Sequence, residues 1–198
     1  MAGILTSLQR TVAAGFVLAV VLFIIYYAKQ GYSAIDFGPF FFRWLHVLSG
    51  IMWIGLLWYF NFVQIPNMAN IPDEQKPAIG KVIAPAALYW FRHAAMATIV
   101  TGLILAWLNG YIVQAITVGL MDGVPKHMAI GIGMWLGAIM WFNVWFIIWP
   151  NQKKALGIVE ASAEEKAKAG RTAMLYSRTN TVLSIPMLFA MVSAQNLY

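Results

Sequence analysis

Three histidines are the residues of this sequence whose type and spacing could do chemistry. The chain contains no cysteine and is 61% hydrophobic, and each histidine lies at or inside a stretch long enough to span a bilayer. An ionisable group at membrane depth is costly, so it indicates a functional site. Imidazole is also a common protein ligand of iron. We therefore take His46, His93 and His127 as candidate metal ligands.

Two of the three histidines share a local pattern. His46 and His127 each precede a glycine by four residues, Gly50 and Gly131 respectively. On a helix, positions i and i+4 lie on one face, one turn apart. A glycine one turn from an imidazole leaves a slot where a flat macrocycle could lie. The pattern predicts haem b held between two helices, with Gly50 and Gly131 beside it.

Charged neighbours and the absence of cysteine refine this prediction. Arg43 precedes His46 by one turn and Lys126 adjoins His127, so both are candidate partners of haem propionates near the membrane interface. Zero cysteines exclude disulfides, thiolate metal sites and the covalent attachment of c-type haem. The predicted haem is therefore non-covalent.

A structural role for the same residues remains open from the sequence alone. Each histidine could be a buried imidazole that hydrogen-bonds to a neighbouring helix. The glycines could serve close helix approach, which is what we expect for the G-x-x-x-G pair of Gly133 and Gly137.

The elements that must position these residues are transmembrane helices. Spans of about 20 apolar residues cross a hydrocarbon layer of roughly 30 Å, and a mean hydropathy of +0.72 over 198 residues is consistent with five of them. We predict an all-α integral membrane protein, residues 1–198 forming a single domain, without a cleaved signal peptide. The predicted spans are about 10–28, 40–64, 86–108, 126–149 and 178–195. Loops are expected at 67–84 and 111–124, and a water-exposed helix at 152–172.

The basic residues indicate the orientation in the membrane. With the N-terminus inside, ten of them fall on the inner side and three on the outer side, which agrees with the positive-inside rule and indicates a bacterial inner-membrane, multi-pass protein. The ten are Arg10, Lys76, Lys81, Arg92, Lys153, Lys154, Lys166, Lys168, Arg171 and Arg178; the three are Lys29, Arg43 and Lys126. The C-terminus is then outside. His46 and His127 share the outer half, whereas His93 lies roughly 15 Å deeper, which favours His46 with His127 as the axial pair.

Three segments resemble a known family. Residues 43–55 read R-W-L-H-V-L-S-G-I-M-W-I-G, residues 143–153 read N-V-W-F-I-I-W-P-N-Q-K, and residues 177–191 complete the set. In this order they resemble the membrane domain of bacterial urate oxidase (urate hydroxylase). The chain departs from the family at Thr179, where the motif usually has histidine. A histidine at 179 would lie level with His93, so its absence weakens the case for a second site.

The resemblance implies a membrane protein that binds haem and passes electrons. The family's full-length enzymes carry a cytochrome c domain, and we expect this chain to act without one. Bis-imidazole ligation leaves no open axial position, which favours electron transfer over oxygen chemistry. Two alternatives stay open: a non-catalytic accessory subunit of a larger respiratory or photosynthetic membrane complex, or urate oxidation with electrons passed to a separate cytochrome c. Oxidoreductase activity therefore stays undecided. The expected surroundings are the lipid bilayer and a homo-oligomer, and no nucleic acid.

Overall fold

The computed structural model describes residues 2–31 and 33–198, and in these ranges the chain is helical and has no strand. In chain order the α-helices are α1 Ala2–Leu5, α2 Leu8–Gln30, α3 Ala34–Trp58, α4 Ile65–Asn67, α5 Lys76–Ala78, α6 Ala84–Leu108, α7 Ile112–Ile116, α8 Pro125–Phe142, α9 Trp149–Ala155 and α10 Ala163–Asn196. Three π-helical segments, Tyr59–Gln64, Ile79–Ile83 and Asn143–Ile148, and one 3-10 turn, Met68–Asn70, continue these helices.

The chain divides into two compact units, residues 1–40 and 41–198. In the first unit, α2 is an apolar helix without any buried residue. It ends at Gly31, whose φ of 66° is a conformation that glycine adopts without a Cβ clash. Phe23 of α2 packs against Phe37 with their ring centroids 4.8 Å apart.

The second unit contains the hydrophobic core. Its largest fully buried side chains come from α3, α6, α8 and the segment after α8: Trp53, Leu57, Phe91, Met140, Val144 and Ile148. Large side chains of α3 and α6 thus belong to this core. The buried residues of α10, in contrast, are mostly alanine and serine.

The contact between α8 and α10 depends on small and amide side chains. A Cβ at Gly133 would lie 3.1 Å from Sδ of Met191, so this glycine makes room for a neighbouring side chain. Asn180, fully buried, accepts a hydrogen bond from Asn143 at 2.8 Å and donates one to the Met140 carbonyl oxygen at 2.9 Å. The packing role expected for Gly133 agrees with this geometry.

Four helical segments are long and apolar enough to cross a membrane: Leu8–Gln30, Ile35–Asn70, Lys76–Leu108 and Pro125–Ala155. They correspond to the first four predicted spans and extend beyond them at most ends. The loop expected at 67–84 is shorter than predicted, because helical turns resume at Lys76.

The last helix differs from the sequence prediction in its extent. The exposed helix expected at 152–172 is interrupted at residues 156–162, between α9 and α10, and its remainder from Ala163 joins the span expected at 178–195 in one continuous helix, α10. It begins at a capping box in which Ser162 and Glu165 bond each other's backbone N–H, at 3.2 and 2.8 Å. Its buried face carries serine and asparagine, and α10 is not among the four segments above.

Candidate functional site

His46 lies on α3 and its imidazole packs against α6. Its Nδ1 is 2.9 Å from the carbonyl oxygen of Thr98 and 3.3 Å from Oγ1 of Thr101. Since a carbonyl only accepts, Nδ1–H is the donor to Thr98 and Nε2 keeps its lone pair. A Cβ at Gly102 would lie 2.8 Å from Cε1 of His46, so the ring occupies the notch that this glycine leaves.

His127 lies in the first turn of α8 and pairs with the loop before it. Its Nδ1 donates to Oδ2 of Asp122 at 2.6 Å. This hydrogen bond holds the pKa of Asp122 below its ordinary value. Asp122 also accepts from the backbone N–H of Val124, which fixes the loop at the start of the helix. Here too the second ring nitrogen, Nε2, is the one left to act as a ligand.

Tyr111 brings the surroundings of the two histidines into one region. Its ring centroid lies 5.8 Å from that of His127. Burial raises the pKa of its hydroxyl, and the charge of Arg43 acts in the opposite direction. Arg43 and Lys126 therefore lie at the same end of this unit. Among the described residues, no hydrogen bond or ring contact joins His46 directly to His127.

His93 lies apart from this region and faces outward. The residue is exposed, and its ring lies tilted by 33° against that of Tyr89, with the centroids 4.1 Å apart, while Nδ1 bonds the Tyr89 carbonyl oxygen at 2.7 Å. Trp145 meets the ring edge-on at 6.0 Å. The structure does not bring His93 together with either of the other histidines.

The two glycines of the sequence pattern have different surroundings. A Cβ at Gly50 would meet no atom within 4 Å, so the space beside it is open. A Cβ at Gly131 would collide with the carbonyl oxygen of Ala115 and lie 2.8 Å from Cα of Val118. The slot at Gly131 is thus filled by the backbone of the α7 segment, which makes this glycine a close-packing position.

The donor set matches the chemistry of a haem better than that of a bare metal ion. Within the described ranges, no three or more His, Asp or Glu side chains gather into a group that could hold a metal. A haem requires at most two protein ligands, because the porphyrin supplies four nitrogens. His46 and His127 each have Nδ1 held by an oxygen, as ligating histidines usually do.

Sequence reasoning missed the partners that orient the histidines. Thr98, Thr101 and Gly102 lie more than 50 positions from His46, and no local pattern connects them. Asp122 lies only five residues before His127, so its contact with this histidine could have been predicted from the sequence. A carboxylate that bonds the second ring nitrogen is a common arrangement at ligating histidines.

Comparison with known proteins gives one match. Residues 125–197, which contain α8, the Asn143–Ile148 segment, α9 and α10, match the family described as urate oxidase N-terminal. No curated protein and no solved structure matches the chain. The resemblance predicted from the three motifs is confirmed over residues 125–197, which include the second and third motifs, and in this range the chain is similar to the urate oxidase N-terminal family.

Proposed function

We propose that this chain binds haem b between His46 and His127 and serves electron transfer in a membrane. The observation that carries the proposal is the shared anchoring of the two imidazoles. Nδ1 of His46 bonds the Thr98 carbonyl oxygen and Nδ1 of His127 bonds the Asp122 carboxylate. Each bond fixes the tautomer in which Nε2 is the free ligand atom.

The surrounding residues have distinct parts in this proposal. Thr98 and Gly102 hold the ring of His46 in one orientation, and Asp122 orients the ring of His127 through its hydrogen bond to Nδ1. Arg43 and Lys126 supply positive charge for propionates at the same end of the bundle. When bound, haem supplies a reversible one-electron iron couple. With His46 and His127 both holding the iron, the chemistry that the haem would supply is electron transfer rather than oxygen activation.

The proposed setting is a bacterial inner membrane. We propose five spans, with α10 as the fifth, the N-terminus inside and the C-terminus outside. The ten-to-three distribution of basic residues supports this orientation. The polar face of α10 is compatible with a span because its amide and hydroxyl groups are turned toward α8 and the core.

The absorption spectrum of the detergent-purified protein tests the cofactor. We expect a Soret band, a b-type pyridine haemochrome and about one haem per chain. His46→Ala should abolish haem retention, and His127→Ala should abolish it or give a five-coordinate spectrum. His93→Ala is the matched control and should leave the band intact. A colourless, folded protein from haem-replete cells would refute the proposal and favour an accessory subunit.

A second candidate function is urate oxidation, which the match over residues 125–197 favours. In this case urate gives up two electrons and a separate cytochrome c accepts them. The assay is urate-dependent reduction of added cytochrome c by the purified protein. No reduction by a protein that retains its haem would leave electron transfer from another donor as the function.

A further inference from the structure

Arg92 is a buried cation at the end of the bundle opposite Tyr111. The residue is 8% exposed, and Nε and Nη1 are buried without a hydrogen-bond partner. Its guanidinium lies over the ring of Trp149, 3.4 Å from the centroid. Removing a cation from water costs more than one cation–π contact returns, so a buried arginine normally also faces an anion.

The acidic residues of this chain do not supply that anion. Four of the seven are engaged by a neighbour within five residues: Asp36 by Ser33, Asp73 by Lys76, Asp122 by His127 and Glu165 by Ser162. The other three are exposed: Glu74, Glu160 and Glu164. None of the seven forms a salt bridge with Arg92. The negative charge must therefore come from another molecule.

Two buried amide oxygens without a hydrogen-bond partner lie on elements that contact Arg92 or the preceding residue, Phe91. Gln152 follows Trp149 by three residues on α9, and its buried Oε1 has no partner. On the other side, Phe91 packs edge-on against Phe60 at 5.8 Å, and Oδ1 of the next residue, Asn61, is also buried without a partner. Since an amide rotated by 180° presents its NH₂ group instead, Gln152 can donate to an anion, whereas Nδ2 of Asn61 already donates to the Leu57 carbonyl oxygen and to Oγ of Ser177.

The local backbone gives an independent indication of a site. Asn61 and Gln64 lie in the π-helical segment Tyr59–Gln64, and Trp145 lies in the segment Asn143–Ile148. Oε1 of Gln64 and Nε1 of Trp145 are again buried without partners. Short π-helical turns inside α-helices occur frequently at functional sites. Of the seven described residues with such buried unpartnered atoms, three therefore lie in π-helical turns.

We propose that Arg92 binds an oxyanion group, a carboxylate or a phosphate, carried by a ligand that enters this end of the bundle. Nε and Nη1 give charge-assisted hydrogen bonds, and Trp149 holds the guanidinium plane in place. The same group could belong to a small soluble anion or to the headgroup of a phospholipid. This site is separate from the histidine region and does not depend on haem.

Calorimetric titration and thermal unfolding of the full chain in detergent test the proposal. The soluble probes are inorganic phosphate and acetate, and the lipid probe is short-chain phosphatidylglycerol in mixed micelles. We expect at least one probe to bind and to raise the Tm. Arg92→Leu should remove the rise, and its unliganded Tm should equal or exceed that of the wild type, because a buried unpaired charge has gone.

Two further variants keep the result decisive. Arg92→Lys retains the charge but not the planar donor group, and we expect about tenfold weaker binding, a result that stands even if Arg92→Leu does not fold. Arg171→Leu changes an exposed arginine of α10 and should leave binding unchanged. Binding of all probes would indicate a small-anion site, and binding of phosphatidylglycerol alone a lipid site. Absence of binding, or binding unaffected by Arg92→Leu and Arg92→Lys, would overturn the proposal.

Discussion

At the scale of single residues, the groups that hydrogen-bond to Nδ1 distinguish the three histidines. All three bond through Nδ1, but His46 and His127 do so to groups beyond their own helix, whereas His93 bonds the carbonyl oxygen of Tyr89 one turn earlier. A bond to another segment orients a ring relative to the rest of the bundle. A bond to a carbonyl oxygen of the same helix fixes the ring only relative to that helix.

Asp122→Asn should weaken haem binding through His127. The amide keeps the size of the side chain but removes the charge that holds Nδ1–H, and loss of such a partner typically costs about 10–100-fold in metal affinity. Haem loss to apomyoglobin measures the effect, and Asp73→Asn, an exposed aspartate paired with Lys76, is the control. An unchanged rate of haem loss would exclude Asp122 as a positioning residue.

The same contact predicts a pH dependence. The pKa of Asp122 is lowered in the folded protein, so the stability that its contact with His127 contributes is fully present above the ordinary aspartate value. That contribution is lost as the pH falls through the lowered pKa. Haem retention measured from pH 6 down to pH 3 should therefore decrease less steeply with pH in Asp122→Asn than in the wild type. Parallel profiles would contradict this linkage.

The two glycines of the sequence pattern should respond differently to enlargement. Gly50→Leu extends into open space, so we expect lower haem occupancy with little change in the Tm of the haem-free protein. Gly131→Leu collides with backbone atoms of the α7 segment and should lower the Tm whether or not haem is present. Haem occupancy per folded protein, measured beside the Tm, separates these effects. Full occupancy in Gly50→Leu would mean that no macrocycle lies beside Gly50.

At the scale of elements, the sequence predicted the apolar helices but not how α10 packs. Hydropathy identifies Leu8–Gln30 and Pro125–Ala155 because long apolar runs have few alternative structures. In contrast, the contacts of Asn180 with Asn143 and Met140 join positions about 40 residues apart, and no periodicity encodes such pairs. The exposure of His93 likewise depends on how α6 is rotated about its axis, and the sequence pattern does not determine that rotation.

Asn180→Ala should destabilise the contact between α8 and α10. It leaves the buried Asn143 amide without its partner, which costs about 1–3 kcal/mol, and removes one hydrogen bond from the Met140 carbonyl oxygen, which still accepts from the backbone N–H of Asn143. The control is Thr179→Ala, because Thr179 is exposed and its hydroxyl bonds only to its own helix. Thermal unfolding in detergent measures both. Equal Tm values for the two variants would show that the hydrogen bonds of Asn180 add nothing to the stability of the contact between α8 and α10.

At the scale of the whole molecule, the number of membrane crossings depends on α10. Four segments satisfy length and apolarity, whereas α10 has 34 residues and carries polar groups on its buried face. The family match over residues 125–197 covers α8 and all of α10. If α10 crosses, the connection before it and the C-terminus lie on opposite sides.

Single-cysteine labelling can decide this, because the chain has no cysteine of its own. In intact spheroplasts, a membrane-impermeant maleimide should label Met121→Cys and Leu197→Cys, both highly exposed, on the proposed outer side. It should label Asp73→Cys and Glu160→Cys only after lysis, since the basic residues near them favour the inner side. Labelling of Glu160→Cys and Leu197→Cys under the same condition would mean that α10 does not cross. Labelling of Asp73→Cys but not Met121→Cys in intact spheroplasts would reverse the orientation.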